Sequence, residues 1–505
     1  MLKKLRFVEP GDHAPFKDSV LNFVTYNKHI KNPSTGLNIL ATIAKRQVGD
    51  TLMYSESISA IDLEDVASAD VVFFSINTFN ATRGYQLADA LRTRTRAILV
   101  FGGMHASLNW PEAIAHCDYV LTGDGDESIV DLLRALDRGE EPGFPGLVKH
   151  RGGTVVFTGP RAQPEDIDTI PDRSLVVGYA RLARRYDTLW PQVHASRGCP
   201  HACDYCAVIQ HFGRRIRKRS PENVVEDIRQ AVAFHRRRIV PRLNTCVWIT
   251  DDNFAHDRPW AISVLKAIIA SGIRAQYSVQ ARYELGFDDE LLDLLREAGF
   301  VEVALGIEFL DDRAFESYRK QSKREDIVRA IANIRRHGVG VRGLFIVGGE
   351  WDTPGIGRRI ADFVAENGIH GALVQSMFFT PGTPVYERSK ADLLHQDWEK
   401  FDGTVVHWPK RMHPAQLQRE VIEASARIYS LWRLIRALFR SPGIFKVLFI
   451  GEFLWQRSLR QELRRELPYL ESLGERPTQS VPRLAAAPAL ASAQPQAAPS
   501  ASAAE

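Results

Sequence analysis

Short apolar runs alternate with amphipathic segments of helix length through the first part of the chain. Each apolar run predicts a buried strand, and the segments between the runs have the spacing of helices. Strands that alternate with helices predict βαβ units, and therefore a doubly wound parallel sheet over residues 1–145. The predicted strands are Leu5–Val8, Ala69–Ile76, Ala97–Phe101 and Asp118–Leu121, and the predicted helices are Gly36–Arg46, Thr82–Leu91 and Asp126–Leu136.

A second alternating series follows residues 146–190, which contain a hairpin pattern at 152–157 and several prolines and are interpreted as a linker. Over residues 191–388 the series predicts a parallel βα barrel, or part of one. The fold class is therefore α/β, with a doubly wound sheet, a partial barrel and a C-terminal helical region. The predicted barrel strands are Gln192–Ala195, Val247–Thr250, Ala275–Val279, Val301–Leu305, Gly343–Val347 and Leu373–Phe379.

The last part of the chain divides into a helical region and a tail of low complexity. Strand patterns stop near residue 389, and helical spacing over 389–475 predicts a helical domain. Residues 476–505 consist largely of Ala, Pro, Ser and Gln. Such a segment has too little apolar bulk to offset the entropy of ordering it, so we expect a disordered tail.

Composition narrows the class of protein without naming a ligand. Of 505 residues, 45% are hydrophobic and 25% are charged, which is typical of globular domains and excludes a mostly disordered chain. The net charge of +4 is too small to indicate a nucleic-acid partner, and the basic run Arg214–Arg219 is interpreted as a solvated loop. Five cysteines cannot form a disulfide scaffold, and without a recognisable leader we expect a cytoplasmic protein.

Three of the five cysteines form the strongest chemical signal. Cys199, Cys203 and Cys206 have the spacing C-x3-C-x2-C directly after the first predicted barrel strand. Structural zinc needs four ligands, and no second cysteine pair lies near enough in sequence to complete such a site. Three thiolates suit three irons of a 4Fe-4S cluster and leave the fourth iron open for chemistry. Cys117 and Cys246 stand alone, and we expect buried, inert thiols there.

This spacing, with an aromatic residue before the last cysteine, resembles the motif of the radical S-adenosylmethionine (SAM) superfamily. The resemblance implies that the open iron binds SAM and that the reduced cluster cleaves SAM to a 5'-deoxyadenosyl radical. It also implies an electron donor such as flavodoxin or ferredoxin. Polar and small residues at the following strand ends resemble the family's SAM contacts. The implied SAM-binding residues are Tyr205, Asp252, Asn253, Arg282, Glu308, Gly348 and Gly349.

The N-terminal domain resembles the cobalamin-binding domain of one branch of these enzymes. Glycines at its strand ends let a backbone approach a corrin ring closely, and a serine can bond a buried base. Proteins that ligate cobalt from below carry Asp-x-His-x-x-Gly, whereas the nearest histidine here, His29, lacks both flanking residues and is expected in a loop. A degenerate domain without cobalamin stays an open alternative. The implied cobalamin-binding residues are Ser75, Asn77, Gly102, Gly103, His105, Gly123 and Gly125.

Residues 427–457 combine aromatic and aliphatic residues with an excess of basic ones. This composition fits either a helical cap on the barrel or a peripheral contact with the inner face of a membrane. No apolar run is long enough to predict a spanning helix. The three-part organisation resembles radical SAM enzymes of hopanoid and related lipid or natural-product pathways, which implies a small-molecule or lipid substrate.

The leading hypothesis is therefore a cobalamin-dependent radical SAM enzyme that methylates an unactivated carbon. By resemblance, one SAM molecule serves as the methyl source for cobalamin and a second supplies the radical. The alternative is a radical SAM enzyme that catalyses cyclisation, rearrangement or carbon-carbon bond formation without methyl transfer. A non-catalytic cobalamin sensor or iron-sulfur scaffold is disfavoured, because a sensor needs no SAM contacts at the barrel strand ends.

Overall fold

The computed structural model describes residues 1–11, 32–185, 190–235, 245–440 and 443–476. His29 and the predicted disordered tail from residue 477 onward lie outside the described residues.

The first sheet has seven strands in the order β2-β1-β3-β4-β5-β6-β7. Strands β1 to β5 run parallel, whereas β6 and β7 form an antiparallel hairpin at one edge. Fully buried side chains such as Leu5, Phe7 and Val72 explain why the central strands read as apolar runs. The strands are β1 Lys4–Glu9, β2 Asp50–Ser55, β3 Val71–Ser75, β4 Ile98–Gly102, β5 Tyr119–Leu121, β6 Leu147–Arg151 and β7 Thr154–Phe157.

Helices connect these strands and cover the sheet. The three helices predicted in this region are present, with ends within a residue or two of the predicted ones. The hairpin at 152–157 is present too, but its strands extend the first sheet beyond the predicted boundary at residue 145. Strand β2 was not predicted, because this edge strand mixes polar and apolar residues. The helices are α1 Thr35–Lys45, α2 Leu63–Ala67, α3 Ala81–Arg92, α4 Met104–Leu108, α5 Trp110–Ala113, α6 Asp126–Asp137 and α7 Tyr179–Arg185.

The second sheet has six parallel strands in the order β15-β14-β13-β12-β11-β8. This partial barrel confirms the predicted α/β class. A short antiparallel pair, β9 and β10, lies at the start of the barrel and brackets the cysteine motif in sequence. The strands are β8 Gln192–Val193, β9 Ser196–Arg197, β10 Arg217–Lys218, β11 Cys246–Ile249, β12 Gln276–Ala281, β13 Phe300–Glu308, β14 Gly340–Val347 and β15 Gly371–Ser376.

Some barrel helices begin at residues that satisfy free backbone N–H groups. One helix begins at Pro221, which has no N–H to satisfy, with Ser220 as its N-cap. The carboxylates of Asp257 and Asp288 accept hydrogen bonds from the first turns of the next two helices. The barrel helices are α8 Val208–Phe212, α9 Pro221–Phe234, α10 Arg258–Ser271, α11 Asp289–Ala298, α12 Asp312–Ser317, α13 Arg324–Arg336 and α14 Ile356–Glu366.

The C-terminal region is helical, as predicted. The helix Pro414–Ile428 buries one face, which includes Leu417, Val421, Ala424 and Ile428. Tyr429 follows this helix and donates from its hydroxyl to the carbonyl of Ala372 in the barrel. The helices are α15 Pro384–Ser389, α16 Pro414–Ile428, α17 Leu431–Arg440, α18 Gly443–Arg465 and α19 Leu467–Ser472.

Candidate active site

The three cysteines lie on one loop between β9 and α8, which we call the cluster loop (residues 198–207). Its start is fixed by Asp251, whose carboxylate accepts hydrogen bonds from the N–H groups of Ala195 (2.7 Å) and Ser196 (3.0 Å) and from the Ser196 hydroxyl. Asp252 accepts from the N–H of Gly198 at 3.1 Å. Two carboxylates at the end of β11 therefore hold the backbone that leads into Cys199.

The thiols of the cluster loop are set among protein groups rather than in open solvent. Cys203 is buried, Cys199 and Cys206 are half-buried, and the N–H of Cys206 bonds the carbonyl of Cys203 at 3.1 Å. Burial raises the pKa of the Cys206 thiol to about 12. Among the described residues no group of three His, Cys, Asp or Glu side chains could hold a single metal ion. A 4Fe-4S cluster takes each thiolate on a different iron, and three cysteines on one loop fit that demand.

The middle of the cluster loop is anchored to distant parts of the chain. The buried carboxylate of Asp204 pairs with Arg319, after α12, and with Arg388, on α15. The ring of Tyr205 packs edge-on against Phe309 and Tyr318, with centroids 5.7 and 6.3 Å away. Asp204 was not predicted, since its partners lie 115 and 184 residues away in sequence.

The predicted SAM contacts after β11 and β12 lie together. The side-chain oxygen of Asn253 accepts from the N–H of Arg282 at 3.3 Å, which joins the ends of the two strands. The guanidinium of Arg282 donates to Glu284 at 2.8 Å and to the carbonyl of Gln321 at 2.9 Å. Burial raises the pKa of Asp252 to about 6. The strand ends thus bring together an arginine and an acidic residue of the kinds that bind a zwitterionic amino acid.

Glu308, at the end of β13, has an unusual backbone and an unpredicted partner. Its φ angle is 67°, in the left-handed region that costs a non-glycine residue energy. Its carboxylate is 3.3 Å from Nζ of the buried Lys320, which also donates to the carbonyl of Gly306 at 2.7 Å. A strained acidic residue beside a buried lysine is typical of a functional site. Lys320 gave no signal in the sequence, because it belongs to an ordinary basic segment.

Gly348 and Gly349 lie directly after β14, as predicted, and bind the carboxylate of Asp352 through their N–H groups at 2.8 and 3.0 Å. Gly348 has a φ of +93°, and a Cβ there would lie 2.7 Å from Leu417 and 2.8 Å from His407. Packing against the C-terminal region therefore requires this glycine. The predicted contact with adenine stays a prediction.

A cavity of about 210 Å³ lies at the carboxyl ends of the strands of the first sheet. Its position is the one at which doubly wound sheets bind ligands. Six of the seven residues predicted to bind cobalamin line it: Ser75, Asn77, Gly102, Gly103, Gly123 and Gly125. The far wall comes from the barrel side of the chain, with His194, Arg197, His211 and Phe212.

Two neighbouring glycines of this cavity have different reasons to be glycine. Gly103 has a φ of +92°, and a Cβ there would lie 2.8 Å from the carbonyl oxygen of Ile76. At Gly102 a Cβ would meet only the carbonyl oxygen of Leu121, at 3.7 Å. Gly103 is thus required by the approach of two chain segments, whereas Gly102 leaves room on the cavity side.

His105 does not line the cavity, which differs from the sequence prediction. Its side chain is fully buried, with Nδ1 3.3 Å from the Thr78 hydroxyl and Nε2 3.7 Å from a carboxylate oxygen of Glu112. Its ring also packs against Trp398, with centroids 4.9 Å apart. Helix α4 directs this side chain away from the strand ends. His105 therefore contacts the C-terminal region through Trp398 instead of the cavity.

The basic run Arg214–Arg219 is not simply a solvated loop, and that interpretation was wrong for two of its members. Arg217 and Arg219 are buried. Arg217 pairs with Asp124 of the N-terminal domain, and Arg219 is 2.7 Å from Asp227 on α9. Buried arginines of this kind need paired carboxylates. The sequence does not indicate the pair between Arg217 and Asp124, because these two residues are 93 positions apart.

Arg197, two residues before Cys199, completes a buried ionic cluster between the domains. Its guanidinium lies 3.0 Å from Asp124 and 2.7 Å from Asp126. Burial disfavours the charge on Arg197, but Asp126 and Asp124 outweigh burial and raise the pKa of the guanidinium. Together with Arg217, two positive and two negative charges balance. One arginine thus connects the cluster loop to the cavity of the first domain.

Comparison with known proteins identifies the barrel. Residues 193–364 match the model of the Radical SAM superfamily, so this part of the chain is a radical SAM domain. Such a domain implies a 4Fe-4S cluster and SAM as cofactors. The predicted resemblance is confirmed by the radical SAM match, by methyltransferases that align with most of the chain and, for the fold, by a solved structure.

Two curated relatives are methyltransferases. The bacteriochlorophyllide d C-12(1)-methyltransferase of Chlorobaculum tepidum is 25% identical over 410 residues, which cover 80% of this chain and 84% of that protein. The hopanoid C-2 methylase of Rhodopseudomonas palustris is 25% identical over 501 residues, which cover 90% of this chain and 87% of the methylase.

The fold matches a solved radical SAM methyltransferase, TsrM from Kitasatospora setae, whose structure holds cobalamin and a 4Fe-4S cluster. The TM-score is 0.66 at 18% sequence identity, and the match covers 93% of this chain and 100% of TsrM. The similarity extends across the doubly wound domain, the barrel and the C-terminal helices. It confirms the predicted three-part fold.

Proposed function

We propose that the protein is a cobalamin-dependent radical SAM enzyme that transfers a methyl group to an unactivated carbon of a lipid or natural-product precursor. Two of its relatives are a bacteriochlorophyllide d methyltransferase and a hopanoid methylase. The chain aligns with more than four-fifths of each of them.

The observation that carries the proposal is the position of Arg197. This residue lines the cavity at the strand ends of the first sheet and stands two residues before Cys199. The candidate sites for cobalamin and for the cluster therefore share a wall. A methyl donor and a radical source must reach the same substrate carbon, and adjoining sites meet that requirement.

The side chains at both candidate sites have the chemistry that these cofactors need. Ser75, Asn77 and Gly102 would hold cobalamin in the cavity, and Cys199, Cys203 and Cys206 would hold the cluster. When bound, the cluster and SAM supply a radical that removes a substrate hydrogen, and cobalamin supplies the methyl group. The cluster must also be reduced by one electron before it can cleave SAM. We propose flavodoxin or ferredoxin as the electron donor.

The chain's own side chains orient and shield this chemistry. Asp251 and Asp252 fix the start of the cluster loop, and Asn253 holds the backbone of Arg282 beside it. The aromatic rings of Tyr205 and Phe309 pack at the cluster loop. Such packing excludes water, which would otherwise allow side reactions of a radical.

A finer part of the proposal concerns the substrate's source. Helix α17 exposes an apolar face to solvent, and Trp432 and Phe439 on it are 71% and 84% exposed. Its sequence LWRLIRALFR contains three arginines and no acidic residue. An exposed apolar face with flanking cations suits the interface of an anionic membrane. No described helix is long and apolar enough to cross a membrane. The exposed face consists of Leu431, Trp432, Ile435, Leu438 and Phe439.

The proposed function is tested with SAM that carries a deuterated methyl group. The reconstituted protein is incubated anaerobically with a reductant, cobalamin and candidate lipid or pigment precursors, and the products are analysed by mass spectrometry. A product heavier by one trideuteromethyl group in place of hydrogen supports methyl transfer. A product that is cyclised or rearranged and contains no label contradicts it.

A further inference from the structure

Two histidines of the radical SAM domain face the cavity of the other domain. His194 follows β8 and His211 lies on α8, and both line the cavity opposite the strand ends of the first sheet. Neither was singled out from the sequence, since each is a lone histidine on an unremarkable segment. They come together only because the barrel packs against the carboxyl ends of the first sheet.

Neither ring has a hydrogen-bond partner among the described residues. Nδ1 of His211 is buried and has no hydrogen-bond partner. The hydrogen bonds among the described residues include none to the ring of His194. Buried polar groups in folded proteins are nearly always bonded, and an unbonded one costs free energy. A ligand that hydrogen-bonds Nδ1 of His211 in the cavity would satisfy this atom.

Both rings are uncharged near neutral pH. Burial is the largest cause that lowers the pKa of His194 and of His211 to about 4. A neutral imidazole has one nitrogen that donates and one that accepts. The neighbouring arginines Arg197 and Arg217 are balanced by Asp124 and Asp126. This wall of the cavity therefore favours an uncharged ligand rich in amide and hydroxyl groups over a simple anion.

The two histidine segments are held in place by the basic run. Arg219 donates to the carbonyl of His194 at 2.9 Å. Arg217 donates to the carbonyl of Phe212, next to His211, at 2.9 Å. Two buried arginines thus fix the backbone at both histidines, which gives these residues a positioning role that the sequence did not indicate.

We propose that His194 and His211 are cobalamin-contacting residues supplied by the radical SAM domain, and that their rings hydrogen-bond polar side groups or the nucleotide tail of the cofactor. This proposal rests on the proposed function, since it assumes that the cavity holds cobalamin. Both domains then contact the cofactor, and these contacts fix its position relative to the cluster loop. Neither histidine is proposed to ligate cobalt.

The test measures cobalamin affinity rather than activity. The protein is reconstituted with iron and sulfide and titrated anaerobically with hydroxocobalamin, with the visible absorption of the cofactor as readout. His194→Leu and His211→Leu remove the polar nitrogens at nearly constant volume, whereas His194→Asn and His211→Asn keep a donor and an acceptor. His337→Leu is the matched control, because this barrel histidine bonds Asp289 and Asp293 and does not line the cavity.

We expect each leucine variant to weaken binding about fivefold to tenfold, as expected for one lost hydrogen bond. The asparagine variants should stay within about threefold of the original protein, and the control should not change. Leucine variants that bind as tightly as the control overturn this proposal alone. Equal losses in the leucine and asparagine variants also overturn it, since they indicate packing. An unsubstituted protein that binds no cobalamin overturns the proposed cofactor as well.

Discussion

Arg197 and Asp126 form a buried ion pair between the two large domains, with Nη1 of the arginine 2.7 Å from Oδ2 of the aspartate. Both side chains are about one-tenth exposed. The arginine leads into the cluster loop, and the aspartate begins α6 beside the cavity of the first sheet. The relative position of the two candidate cofactor sites therefore depends on this contact.

Breaking the pair should destabilise the protein strongly. Asp126→Asn leaves the buried guanidinium of Arg197 with less negative charge, and we expect a loss of about 3 kcal/mol or more in the free energy of unfolding. Asp131→Asn on the same helix is the control, because Asp131 is one-third exposed and pairs with Arg161 at 2.8 Å. The control should lose less than about 1 kcal/mol. Denaturant unfolding of both variants provides the measurement, and equal small losses would contradict the account.

The cluster assignment is tested by removal of its ligands. Replacement of Cys199, Cys203 and Cys206 by Ala should abolish nearly all iron loading and SAM cleavage, because no thiolate then holds an iron. Replacement of Cys117 and Cys246, which are buried as predicted and whose pKa values burial raises, should leave the iron content unchanged. Iron and sulfide analysis checks both. The assignment is wrong if the second pair of substitutions, and not the first, removes iron.

The two cavity glycines should respond differently to substitution. Gly102→Leu should weaken cobalamin binding about tenfold or more, because its side chain would occupy cavity volume, while the unfolding free energy changes little. Gly103→Ala should instead lower the unfolding free energy by about 1–3 kcal/mol, because of its positive φ and the nearby carbonyl of Ile76. Cobalamin titration and denaturant unfolding of both variants separate the effects. Unchanged affinity in Gly102→Leu would contradict the proposed site.

The buried carboxyl group of Asp352 makes stability depend on pH. Burial, the largest cause, raises its pKa from 3.8 to about 6 despite two backbone hydrogen bonds. The folded state therefore binds more protons than the unfolded state between these two values, so this group lowers stability as pH rises through that window. The total effect is at most about 3 kcal/mol.

Comparison with Asp352→Asn isolates this effect from other groups that titrate nearby, such as His407, whose pKa burial lowers to about 4. The stability of the original protein relative to the variant should fall between about pH 4 and pH 6, the window that the two pKa values define. Urea unfolding at several pH values gives this difference. A stability difference that is constant across this pH range would contradict the raised pKa of the buried Asp352 carboxyl group.

Membrane contact should depend on the exposed face of α17. Trp432→Ser together with Phe439→Ser should reduce flotation with anionic liposomes, because both side chains lie on the exposed face. Phe287→Ser is the control, since this half-exposed side chain lies on the barrel. High salt should release the protein, as attraction to an anionic surface is screened. Flotation that is equally low with anionic and neutral vesicles would favour a helical cap.

Much of the fold could be predicted because its information is local. Buried parallel strands such as β3 and β4 are continuous apolar runs, and the three cysteines lie close together in sequence. The edge strand β2 carries no such run. The roles of Lys320, His194 and His211 depend on packing between distant segments. Arg217 was assigned to solvent because its carboxylate partner, Asp124, is 93 residues away. Long-range charge pairing leaves no periodic pattern in a single sequence.

The central claim is that one chain combines a radical SAM cluster with cobalamin for methyl transfer, and the fate of SAM tests it most directly. The reconstituted protein is incubated anaerobically with a reductant and SAM, with and without cobalamin, and the nucleoside products are quantified. We expect S-adenosylhomocysteine that requires cobalamin and 5'-deoxyadenosine that requires Cys199, Cys203 and Cys206. Formation of 5'-deoxyadenosine alone, by a protein that retains no cobalamin, would contradict the claim.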